Sequence, residues 1–194
     1  MGEDRATVTD RDLLLLVADA AGGSVDGRTI LQKLAYFVGR RLERDLGHNA
    51  HFYGPFSSKI ENSLKVSVIA GELNETAETL PNWYGGPDAL KYSYELTPQG
   101  SARVHQLRGE TTAAALAVDE TVNAIREVIP EFRQRALSAA AKIDLILSEH
   151  EGPVPVAELR DLAGALGWTL SDDEVQQSVQ VLEQLKLVTT TTGH

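Results

Sequence analysis

Residues 57–100 read SSKIENSLKVSVIAGELNETAETLPNWYGGPDALKYSYELTPQG. Ser58 and Glu61 stand at capping-box spacing and open a helix that carries Ile60, Leu64, Val68 and Ile69 and ends at Gly71. Two β-forming runs follow, Thr76 to Trp83 and Leu90 to Leu96, divided by the turn-rich Tyr84-Gly85-Gly86-Pro87-Asp88. In the second run Leu90, Tyr92, Tyr94 and Leu96 alternate with Lys91, Ser93 and Glu95, the period of a half-buried strand. Thr97 then caps a further helix with Pro98 at its first position.

Upstream, Thr9 and Asp12 cap a first helix that begins Leu13 to Val17 and ends at Gly22-Gly23. A second helix is expected from Gly27 to Leu46, since Ile30, Leu34, Phe37, Val38 and Leu42 share one face and Gly47 stops it. His51-Phe52-Tyr53-Gly54-Pro55-Phe56 forms an aromatic turn, with Gly54 permitting an unusual backbone and its aromatics expected in the core. The order helix, helix, helix, hairpin, helix is that of a winged helix-turn-helix, a mainly α fold with a small β-hairpin wing. In such folds the third helix enters the major groove.

Three motifs in this order, Leu31-Gln32-Lys33-Leu34-Ala35-Tyr36-Phe37, His51-Phe52-Tyr53-Gly54-Pro55-Phe56-Ser57 and Tyr92-Ser93-Tyr94-Glu95-Leu96-Thr97-Pro98-Gln99-Gly100, resemble the YwgA-like group of prokaryotic winged-helix proteins. They are more distantly similar to the Panacea domain of phage-associated antitoxins. The resemblance covers about residues 10–107 and implies a regulator-like or antitoxin-like role, with no defined reaction.

Residues 110–194 show no comparable match. Leu116, Val122, Ile125 and Ile129 mark a helix from Thr111, Pro130 interrupts it, and Phe132, Leu137, Ala140, Ile143 and Leu147 mark another to Glu149. A short helix is expected from Val156 to Leu166. A helix capped by Ser171 and Glu174 follows, then a strand from Leu187 to Thr192. These outline a second winged-helix-like unit. The expected organisation is a winged-helix domain over 1–109, a connector that could dimerise over 110–150, and a second unit over 151–194 whose first helix begins near 139.

The chain has 194 residues, no cysteine and a net charge of −10. Disulfides, thiolate metal sites and cysteine nucleophiles are excluded. No apolar run approaches a membrane span, and no signal peptide opens the chain, so a cytoplasmic location is expected. Acidity argues against nucleic acid, but it is uneven: residues 1–109 carry 12 Lys+Arg against 14 Asp+Glu, residues 110–194 carry 6 against 14. The acidic capped helix near the end (Asp172, Asp173, Glu174, Glu183) would repel a duplex, which points to a protein partner or a structural role. Six lysines against twelve arginines also fit a salt-adapted acidic surface.

The leading expectation is a DNA-binding transcriptional regulator acting as a homodimer. Asn62 would read adenine, Lys59 and Lys65 would touch phosphate, and Arg28, Lys33, Ser57, Ser58 and Lys91 complete the candidate DNA-binding set. Trp83 and Tyr84 at the hairpin tip are candidate partner contacts. Arg40, Arg41 and Arg44 fit the end of the second helix, where cations favour the helix dipole. The alternative is a protein-interaction module, antitoxin-like or an assembly factor, using the same fold without DNA. His48 and His51 lack acidic partners at a metal-ligand spacing, no nucleophile elbow or phosphate loop occurs, and neither catalysis nor a cofactor is expected.

Overall fold

A computed structural model describes residues 8–80 and 89–188. Thr9 caps the first helix, α1 (Asp10–Ala20), accepting from the Asp12 backbone N–H at 3.1 Å while the Asp12 carboxylate accepts from the Thr9 N–H at 3.3 Å. Leu13 to Ala18 are all buried. A helix apolar on every side must lie at the centre of a fold, and α1 is packed by every other helix of the first half.

After β1 (Ser24–Val25), the second helix, α2, runs Arg28–Arg41 and stops well short of the expected Leu46. The chain reverses through Glu43, whose φ is +52°, and Leu46 folds back onto Gly39, where a Cβ would lie 2.8 Å from a Leu46 methyl. Two short strands, β2 (His48–Asn49) and β3 (Phe56–Ser57), then pair across the aromatic turn. The third helix, α3, spans Ser58–Ile69. Its cap is Ser57 and not Ser58: the Ser57 hydroxyl accepts from the Ile60 N–H at 3.2 Å.

The hairpin strands are β4 (Leu73–Leu80) and β5 (Ala89–Leu96). They pair antiparallel from Leu73 opposite Leu96 to Leu80 opposite Ala89. β4 therefore starts earlier than the expected Thr76. β1, absent from the sequence reading, pairs with β5 and completes a sheet of order β1-β5-β4. Leu73 and Tyr94 anchor the sheet in the core, whereas Asn74 to Leu80 are exposed on both faces. The expected wing tip, with Trp83 and Tyr84, lies outside the described residues.

Thr97 caps α4 (Pro98–Glu110) by accepting from the Gly100 N–H at 3.0 Å. The same hydroxyl donates to the Gly71 carbonyl at 2.6 Å, and Gln99 donates to the Ala70 carbonyl at 3.0 Å. The motif Thr97-Pro98-Gln99-Gly100 thus locks the start of α4 onto the α3–β4 corner. At Gly100 a Cβ would lie 2.1 Å from the Glu72 carbonyl oxygen, so only glycine allows the approach.

The second half comprises α5 (Thr112–Val128), a 3₁₀ turn at Pro130–Phe132, α6 (Gln134–Glu149), a 3₁₀ turn at Val156–Glu158, α7 (Leu159–Ala165) and α8 (Asp172–Gln184). The Ser171–Glu174 capping box closes as expected. The expected strand does not form at Leu187 and Val188, and its remaining residues lie outside the described ones. Among the described residues the second half holds no strand, so a second wing is not present there.

Of the described residues 63% are helical, with a three-stranded antiparallel sheet and a two-stranded hairpin, an arrangement compatible with a winged-helix-like fold. Its buried apolar residues form one cluster from Leu13 to Leu185. Val118, Val122 and Ile125 of α5 are fully buried, as are Leu137, Ala140, Ala141 and Ile143 of α6. The alanines let α6 approach α2 and α8 closely, and both connector helices bury most of their apolar stripes within the chain, except that Leu116 of α5 stands exposed, contrary to expectation. No helix among the described residues is long and apolar enough to cross a membrane.

Ionic clasps fix the helices laterally. Asp12 accepts from Arg103 at 2.8 Å, tying α1 to α4. Burial pushes the Asp12 carboxyl up, but hydrogen bonds from Thr9 and Arg103 outweigh it and hold the group below the usual range. Arg108 reaches Asp19 at 2.6 Å and Asp119 at 2.7 Å, joining α1, α4 and α5.

Candidate interaction face

α3 is set by its cap. Gln32 of α2 grips Ser57 from both sides, donating to its carbonyl at 3.0 Å and accepting from its N–H at 3.1 Å. The Ser57 hydroxyl also donates to the Leu46 carbonyl at 2.5 Å. Ser57 is fully buried, so it positions α3 and cannot meet a phosphate. That removes it from the candidate DNA-binding set.

Lys33 is removed for the same reason. It is 1% exposed, and its ammonium donates to the Pro55 carbonyl at 2.5 Å beneath the aromatic turn. Burial and the nearby Lys142 charge lower its pKa from the usual value to about 8. Gly54 (φ +86°) lets the turn close onto α6, since a Cβ there would lie 3.0 Å from the Lys142 stem and 3.3 Å from the Ser138 carbonyl oxygen. The turn's aromatics depart from expectation: Tyr53 is 52% exposed, beside Phe52 at 70%. The carbonyls and ammonium below the turn occupy its inner side, which leaves these rings outside.

The remaining candidates lie at the surface, with their charges mostly engaged. Arg28 donates to the Tyr94 hydroxyl at 3.2 Å, lies 4.3 Å above the Tyr92 ring, and faces Glu61 at 3.7 Å and Glu75 at 3.9 Å. Lys65 pairs with Glu61 at 3.0 Å in the favourable i, i+4 order. Lys91 reaches Asp26 at 3.4 Å and stands opposite Glu78 in the ribbon. Ser58, Lys59 and Asn62 are exposed along α3, and Lys59 has no ion-pair partner among the described residues. Thus α3, the ribbon and the adjoining start of α2 set Arg28, Lys59, Lys65 and Lys91 against Asp26, Glu61, Glu75, Glu78 and Glu95, with no basic strip. Apolar side chains share the face: Ile69 is 86% exposed and Val66 47%.

The arginine cluster is mainly structural, as its position at the end of α2 suggested. Arg40 donates to Asp144 at 2.8 Å, and Asp144, 1% exposed, also accepts from the Tyr36 hydroxyl at 2.7 Å, joining α2 to α6. Arg44 is bound to Asp10 and the Val8 carbonyl. Arg40 lines two cavities of about 400 and 480 Å³ along this seam. His48 stands edge-on to Tyr36 at 5.1 Å and burial lowers its pKa to about 4. Among the described residues no three histidines or carboxylates converge as a metal site would require.

The acidic half is fastened to the first. Trp168 donates to the His51 carbonyl at 3.1 Å, and Arg126 to the Ala20 carbonyl at 2.6 Å. In α8, Glu174 closes its cap and pairs with Arg135, while Asp172 pairs with Arg160 at 2.9 Å.

The site that the sequence reading missed is the pocket around Lys33. Its signal was present: in Ile30-Leu31-Gln32-Lys33-Leu34-Ala35-Tyr36-Phe37-Val38 only Gln32 and Lys33 are not apolar or aromatic, and every residue is buried. A lysine within so apolar a run is carried into the core with its neighbours. No protein-family model and no curated protein matches the sequence, which leaves the YwgA-like resemblance resting on the three motifs that suggested it.

Proposed function

We propose that the chain is a winged-helix-like regulatory protein whose α3–ribbon face docks onto another protein. The observation that carries this reading is the charge of that face: its cations are opposed by at least as many carboxylates, and Val66 and Ile69 stand exposed among them. A duplex presents about one negative charge per 1.7 Å of axis and rewards a basic strip. A protein surface rewards apolar contact ringed by paired charges. The acidic second half favours a partner with basic segments. In this reading the protein acts in the cytoplasm without catalysing a reaction, and α6, α7 and α8 form the helical part of a second unit of the same kind.

The test is recovery of a stoichiometric partner from native lysate by the full chain, compared with Ile69→Glu. Loss of that partner in the variant supports the reading; equal recovery by both contradicts it. A second reading, a dimeric DNA-binding regulator, draws on exposed Ser58, Lys59 and Asn62 along one face of α3. It requires two copies to present α3 at half-sites about 34 Å apart. Saturable duplex binding weakened by Asn62→Ala would favour it over protein docking.

A further inference from the structure

A small pocket opens between the start of α2 and the aromatic turn. Its volume is about 110 Å³, close to the liquid volume of four waters. Two cations line it, Arg28 and Lys33, and no carboxylate does. Lys33 is 1% exposed, makes its one hydrogen bond to the Pro55 carbonyl, and has no ion-pair partner among the described residues. The charge that acts on it is the like charge of Lys142. A buried ammonium without a counter-charge is costly. The carboxylates near Arg28 stand off at 3.7 and 3.9 Å, and its guanidinium carries more N–H donors than the one given to Tyr94.

Three rings, with Thr29 and Gln32, complete the lining. His51 lies 5.4 Å from Phe56 and 6.5 Å from Tyr53, both tilted by less than 40° (38° and 37°). We propose that this pocket binds a small aromatic carboxylate, its carboxylate supplying Lys33 with a counter-charge and accepting from a free N–H of Arg28, and its ring lying among His51, Tyr53 and Phe56.

The sign of the pocket selects an anion, its ring walls select an aromatic body, and its volume limits that body to one ring. Pockets for larger ligands run from about 300 Å³ upward. The position gives the occupant a lever: Gln32 lines the pocket and grips Ser57, and Phe56 precedes Ser57, so the ligand sits against the cap that orients α3. This inference is independent of what α3 docks onto.

Calorimetric titration of the full chain at neutral pH with benzoate, acetate, benzamide and inorganic phosphate tests it. Benzoate is expected to bind one-to-one and at least about tenfold tighter than each of the other three, the effect of one charge-assisted contact. Lys33→Met, which keeps the side-chain length, is expected to weaken benzoate by about tenfold or more. Tyr53→Ala, at an exposed position that does not threaten folding, is expected to remove the preference for benzoate over acetate. Absence of saturable benzoate binding at millimolar concentration overturns the proposal. So does benzamide or phosphate binding as tightly as benzoate, or wild-type affinity in Tyr53→Ala or in folded Lys33→Met.

Discussion

Lys33 shows how one residue's placement decides its role. In the unfolded chain it titrates near 10.5, in the fold near 8. Between these values the unfolded state binds the proton that the folded state releases, so its contribution to stability rises with pH across that window. Below about pH 8 both states are charged and the burial penalty is felt in full. Lys33→Met is therefore expected to be more stable than wild type at pH 7, with the advantage shrinking by about 3 kcal/mol toward pH 10.5; urea unfolding at the two pH values measures it. His48 works in the acid range. Its folded pKa near 4 lies below the usual 6.5, so stability falls as pH drops through that interval, and His48→Phe should flatten the fall in a thermal melt. Asp144 holds both Tyr36 and Arg40. Asp144→Ala leaves a buried hydroxyl and a guanidinium unpaired and should cost about 2–4 kcal/mol in chemical denaturation.

At the scale of elements, caps and close approaches decide where helices start. Ser57→Ala strips the α3 cap and its bond to Leu46, an expected loss of about 1–2 kcal/mol in chemical denaturation. Gly100→Ala places a Cβ 2.1 Å from the Glu72 carbonyl oxygen, so α4 must separate from the α3–β4 corner; a strongly lowered melting temperature is the expected result, and an unchanged one would refute this role for the glycine. The caps at Thr9, Thr97 and Ser171 were legible because each is a local pattern of polar residue, spacing and helix start. Ser57 was displaced to Ser58 because two serines stand side by side, and only the tertiary clamp by Gln32 distinguishes them. α2 was read too long because Leu42 and Leu46 continue its apolar period, although Leu46 reaches the core by folding back on Gly39. β1, two residues long, has no sequence period at all. Of the interaction face, the exposed row Ser58, Lys59 and Asn62 was legible from helical spacing. The pairing of Arg28 with Glu61 and Glu75 was not, since it joins residues far apart in the chain.

Across the whole molecule, the boundary near residue 109 marks a change of charge and not a break in packing. The core crosses it: Arg108 clasps α1 and α5, Asp144 ties α6 to α2, and Leu137, Ala140, Ala141 and Ile143 of α6 are fully buried in the same cluster as the first half. Each fully buried aliphatic side chain contributes about 1.5–3 kcal/mol, more in sum than a small domain can forgo. A fragment of residues 1–110 should therefore lack a cooperative melt by circular dichroism, while the full chain melts in one transition.

The central claim is that the α3–ribbon face, which carries no basic strip, recognises protein and not a duplex. Fluorescence anisotropy with a mixed-sequence labelled duplex at about 50 mM salt, a concentration at which phosphate contacts are strong, tests it most directly. No saturable binding at micromolar protein is predicted. Saturable binding that collapses between about 50 and 200 mM salt, and that weakens in Lys59→Ala and Lys65→Ala, would contradict it.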